Sequence, residues 1–132
     1  MESGPVSDGG AGFLTAPPDT PATRAAFDDD LAGNGYVMEL TRVWAHQPDL
    51  QPALGALLGA ATEAGELSYR DRAVLIAATA SAIGDPYCGT AWGSRLAGEV
   101  GDDVAAAVLR GDDDARDPRS RALSGWARRV AA

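Results

Sequence analysis

Apolar residues along the chain recur at steps of three and four, and no stretch alternates apolar with polar at the two-residue period of a half-buried strand. The pattern predicts an all-α fold of about seven helices joined by short loops. Thr20 followed by Pro21 opens the first helix, a side-chain acceptor ahead of a residue with no N–H to satisfy. Phe27 and Leu31 share one face of it, and Gly33 ends it. Residues 36–46 put Val37, Leu40, Val43 and Trp44 on a second helical face that stops before Pro48. The third helix starts near Pro48-Asp49, carries Leu50, Leu54, Leu57, Leu58 and Ala61, tolerates Pro52 in its first turn and closes at Gly65.

Ser68 with Asp71 three residues on has the form of a capping box. The helix behind it is apolar on nearly every side from Ala73 to Ile83, apart from Thr79 and Ser81. A helix with no polar face is buried all round, so this one is expected at the centre of the domain or of an interface. Gly84 ends it. Asp85 and Pro86 start a fifth helix reaching about Val100, and Asp102 caps a sixth that ends at Gly111. An acidic loop over residues 112–117 leads to Asp117-Pro118. The last helix follows, with Leu123, Trp126, Ala127 and Val130 as a stripe at i, i+3, i+4 and i+7. Residues 1–12 are small, polar and glycine-rich and read as a disordered tail. Residues 13–132 read as one helical domain, with Phe13 and Leu14 as an extended arm against it.

Composition narrows the chemistry. A chain of 132 residues suits one domain with a real core. The net charge of −8 sets 19 acids against 11 bases, all of them arginine. Such a chain repels phosphate backbones, and its scattered arginines form no polybasic membrane face. One cysteine excludes an intramolecular disulfide, and with one histidine there is no ligand-spaced set for a metal, so no metal and no cofactor are expected. No basic segment precedes an apolar run as in a signal peptide, and no apolar run approaches the ~20 residues that span a bilayer; a cytoplasmic protein is expected. Abundant alanine and few aromatics suit closely packed helices.

The candidate chemistry lies in Gly84-Asp85-Pro86-Tyr87-Cys88-Gly89-Thr90-Ala91-Trp92-Gly93. Cys88 falls in the first turn of a helix, where free N–H groups and the helix dipole favour thiolate, while the Asp85 carboxylate opposes a second negative charge. Cys88 is therefore either a nucleophile or a small buried hydrophobe.

Three further segments accompany that stretch: Gly35-Tyr36-Val37-Met38-Glu39-Leu40 leading into Trp44-Ala45-His46-Gln47-Pro48-Asp49-Leu50, then Leu67-Ser68-Tyr69-Arg70-Asp71-Arg72, then the apolar helix before Asp85-Pro86-Tyr87-Cys88. In this order they resemble the carboxymuconolactone decarboxylase family, which includes the alkylhydroperoxidase D-like and peroxidase-related proteins. The resemblance implies an alkylhydroperoxidase D-like helical bundle that assembles into homo-oligomers, trimers or hexamers. It also implies a shortened member or a fragment, since relatives continue past residues 126–130 with further helices. In alkylhydroperoxidase D-like members a Cys-x-x-Cys pair at this helix start is the redox centre: one thiolate attacks peroxide to give a sulfenic acid, and the other resolves it as a disulfide. A histidine four residues past the second cysteine and a glutamate on the preceding helix relay protons. By position, the second cysteine is Cys88, the first is Asp85, the histidine is Trp92 and the glutamate is Ala73.

The resolving thiol and both relay groups are thus replaced. The expectation is a catalytically silent protein that binds a small hydrophobic molecule or serves as a subunit, with Asp85, Tyr87, Trp92 and Ala73 about the pocket and Trp92 as an apolar wall. One alternative is a one-cysteine thiol peroxidase using Cys88 as nucleophile, with Tyr87, Thr90 or Trp92 shaping the peroxide site and an external thiol regenerating it. Another is lactone decarboxylation, with Arg70, Arg72 and Arg95 as carboxylate ligands. His46 reads as structural, and Trp44 and Trp126 as core or interface. The runs Asp28-Asp29-Asp30 and Asp112-Asp113-Asp114 lack the spacing of a calcium loop and read as a solvated helix face and an acidic loop.

Overall fold

A computed structural model describes residues 15–112 and 117–132. The segment read as a tail, Phe13, Leu14, Asp113 and Asp114 lie outside the described residues. Among the described residues there are seven helices and no strand: α1 (Pro21–Asn34), α2 (Glu39–Trp44), α3 (Leu50–Ala64), α4 (Tyr69–Ile83), α5 (Pro86–Val100), α6 (Asp102–Arg110) and α7 (Pro118–Ala131). None is long and apolar enough to cross a membrane. The chain divides into two compact units, one up to Leu58 and one from Gly59.

In the first unit the Thr20 hydroxyl accepts the Thr23 N–H at 3.1 Å and caps α1. The helix runs to Asn34, past the expected stop at Gly33, because it is Gly35 that takes the left-handed conformation (φ 79°). Asp30 accepts the Met38 N–H at 2.8 Å and so fixes the entry to α2. That helix begins only at Glu39, leaving Tyr36 and Val37 outside it. Arg42 lies over the Phe27 ring at 5.6 Å. No residue of α3 is buried, and Leu50, Leu54, Leu57 and Leu58 all stand exposed.

The second unit is built around α4, which packs on α5, α6 and α7. Ala73, Val74, Ala77 and Ala78 meet Leu96, Ala105, Val108 and Ala127 in one buried cluster. The small side chains let the helices approach closely. Gly93 of α5 is the tightest point: a Cβ there would lie 2.9 Å from Cδ1 of Leu109. The Ser68–Asp71 box forms in both directions, at 3.1 and 3.0 Å. Both Asp71 oxygens also accept from Arg119, at 2.9 Å each, and Arg70 pairs with Asp117, so the starts of α4 and α7 are clamped together. At the other end of α7, Arg128 donates to the Val108 carbonyl (2.7 Å), one of the last of α6.

Two sequence expectations change here. Asp102 is the first residue of α6 rather than its cap, which is Gly101 with no side-chain bond. The α7 stripe splits: Ala127 is buried and Leu123 packs against the core, whereas Trp126 and Val130 face solvent.

Candidate functional site

The α4–α5 junction sets the position of Cys88. Gly84 ends α4 in the left-handed region (φ 71°), which a side chain would strain, and a single residue, Asp85, separates it from α5. Oδ1 of Asp85 accepts the N–H groups of Tyr87 (2.9 Å) and Cys88 (3.1 Å). The donors that would otherwise stabilise a thiolate at this helix start are therefore already bound to a carboxylate. Cys88 itself is half-buried. Burial, then hydrogen bonding and charge repulsion from Asp85, push its thiol above the ordinary cysteine range. At neutral pH the sulfur is held as S–H.

One turn on, half-buried Trp92 has two arginines and a tyrosine around its ring. Arg95 lies over its ring at 5.1 Å and Arg72 at 5.9 Å, and the Tyr69 ring is 6.2 Å away and tilted by 38°. Arg95 also donates to the Ala91 carbonyl at 3.2 Å. Among the described residues neither Arg72 nor Arg95 pairs with a carboxylate. A guanidinium stacked on an indole keeps its in-plane N–H donors available. Arg70, the third arginine of that sequence group, is engaged by Asp117 and Ser120 instead.

The other sequence candidates have different surroundings. Ala73 is fully buried in the core, where it meets no solvent. Tyr87 is exposed. His46 belongs to the first unit and donates from Nε2 to the Thr15 carbonyl (3.1 Å), a tie to the segment before α1. An open groove of about 570 Å³ runs between α5 and α6, lined by small residues such as Gly89, Gly93, Ala97 and Ala105; Asp85, Tyr87 and Trp92 do not line it. Among the described residues no three His, Cys, Asp or Glu side chains converge as metal ligands.

The sequence marks Arg72 and Arg95 only as possible carboxylate ligands and does not place them at Trp92. The i, i+3 spacing of Trp92 and Arg95 was a local signal for that pair. Arg72 reaches Trp92 from α4, which no local spacing announces. No protein-family model, curated protein or solved structure matches the chain.

Proposed function

We propose that this chain is a catalytically silent relative of the carboxymuconolactone decarboxylase and alkylhydroperoxidase D-like proteins, binding a small apolar molecule with an anionic group against Trp92. One observation carries the reading. The helix start that would hold a working thiolate holds a thiol suppressed by burial and by Asp85 and, one turn later, an indole flanked by two guanidiniums. A peroxidatic cysteine needs an anionic sulfur and a proton relay. Here burial and then the nearest acid raise the thiol's pKa, and Trp92 has no proton to exchange at neutral pH. The ring supplies apolar area, and Arg72 and Arg95 supply fixed positive charge that an anionic ligand would neutralise.

The test uses 2-naphthoate and its uncharged alcohol as probes, titrated calorimetrically against the intact protein. The carboxylate is expected to bind about tenfold or more tightly than the alcohol, and Arg72→Gln with Arg95→Gln should abolish the preference. Equal binding of the two probes, or a preference that survives the double substitution, contradicts the reading.

A further inference from the structure

Two helices bring the same pair of residue types to one place. Tyr69 and Arg72 on α4, and Trp92 and Arg95 on α5, are each an aromatic ring followed by an arginine three residues on, the spacing that puts both on one side of a helix. The first turn of α4 sorts its side chains in two directions. Arg70 and Asp71 turn to α7, where Asp117, Ser120 and Arg119 hold them. Tyr69 and Arg72 turn to α5, where the Tyr69 ring lies 6.2 Å from that of Trp92 and Arg72 lies over the indole at 5.9 Å. The capping box and the clamp to α7 fix the backbone beneath them, so both side chains project from a rigid base.

The Tyr69 ring is open to a ligand. It is 47% exposed, and among the described residues neither its hydroxyl nor the indole N–H of Trp92 has a hydrogen-bond partner. The two rings are tilted by 38°, so neither closes flat on the other, and both keep aromatic surface for a third ring. The guanidiniums beside them add fixed positive charge and no acceptor. Aromatic surface from two helices with cations beside it matches a planar ring carrying an acid group better than an aliphatic chain carrying one.

Resting on the anionic-ligand reading above, we infer that the ligand is a planar aromatic anion and that Tyr69 selects it. The ligand's ring packs against both Tyr69 and Trp92 while its anionic group meets Arg72 and Arg95. Apolar burial alone does not make this choice, because a saturated ring system of the same skeleton offers as much apolar area as its aromatic counterpart. Ring–ring geometry makes it, since aromatic pairs gain free energy beyond the area they bury.

The experiment compares 2-naphthoate with decahydronaphthalene-2-carboxylate, which keeps the charge and the carbon skeleton but loses planarity. Both are titrated calorimetrically against the full chain, Tyr69→Leu and Tyr69→Phe. Tyr69 is the exposed first residue of α4, and circular dichroism melts establish that each variant is folded. The wild type is expected to bind naphthoate about tenfold more tightly than the saturated acid, a gain shared by two ring–ring contacts. Tyr69→Leu should cut that preference by about threefold or more and leave the preference for naphthoate over its alcohol in place. Tyr69→Phe should keep both preferences. Equal binding of the two acids, a preference that Tyr69→Leu leaves intact, or one that Tyr69→Phe loses as fully as Tyr69→Leu overturns the inference while the anionic-ligand reading stands. Equal binding of naphthoate and its alcohol marks the failure of that reading, and the inference falls with it.

Discussion

Helices α3 and α4 have the same length, fifteen residues, and both are rich in alanine and leucine or isoleucine, yet they occupy opposite environments. All of the α3 leucines are exposed and none of its residues is buried; α4 buries Asp71, Ala73, Val74, Ala77, Ala78 and Ala80. Apolar content therefore does not separate them. What separates them is the set of directional bonds at the start of α4. Its capping box, the bidentate Asp71–Arg119 pair and the Arg70–Asp117 pair fix where α7 enters, and alanines then let α5, α6 and α7 close on it. A 3.6-residue apolar period specifies a helix with a sticky face, and other bonds must specify what that face meets.

Substitutions that remove one anchor at a time sharpen this contrast. The largest effect is expected for Leu96→Ala, which empties a fully buried site against α4 and should destabilise the fold by about 2–5 kcal/mol in urea melts. A loss below about 1 kcal/mol would mean that the α4 cluster is not the core. Next comes Asp71→Asn. Arg119 and the Ser68 bonds lower the Asp71 pKa from 3.8 to about 2. Because the folded value lies below the unfolded one, the stabilisation is complete above about pH 4 and is lost as pH falls through about 2. The wild type should exceed Asp71→Asn by about 1–2 kcal/mol at neutral pH, reduced by the solvent exposure of Arg119, and the gap should close between pH 4 and 2. A gap that persists unchanged at pH 2 contradicts the assignment. The smallest effect is expected for Leu57→Ala on α3: 65% exposed, it should shift stability by no more than about 0.5 kcal/mol. A loss as large as that of Leu96→Ala would remove the contrast between the two helices.

Much of this was legible in the sequence, for a physical reason. The Ser68, Asp85 and Asp117 caps and the prolines at the starts of α1, α5 and α7 act over three residues or fewer, so local sequence contains both partners. The late start of α2 was less visible, because Met38 offers no side-chain cap and the Asp30 bond that fixes it comes from eight residues back. The Asp71–Arg119 pair spans 48 positions, and nothing local marks it. The split of the α7 stripe follows from partner geometry: the three- and four-residue spacing covers an arc wider than the core contacts, so Trp126 and Val130 fall outside. At the site, the Asp85 cap and the position of Cys88 in the first turn were legible. The suppression of the thiol was only half so, since the opposing pulls of helix start and carboxylate are decided by burial and by which donors the carboxylate occupies.

The account's central claim is that Cys88 is held as an unreactive thiol, and the rate of its alkylation as a function of pH tests it most directly. Cys88→Ser serves as the blank, and peroxide consumption in the presence of a small thiol is followed alongside. Slow labelling throughout the neutral range, rising only at alkaline pH or on unfolding, and no peroxide turnover are the predicted results. Asp85→Asn, which keeps a capping side chain but removes the charge, should shift the rise to lower pH. Fast labelling of the wild type below pH 7 with thiol-dependent peroxide turnover would contradict the claim and make Cys88 a working peroxidatic cysteine.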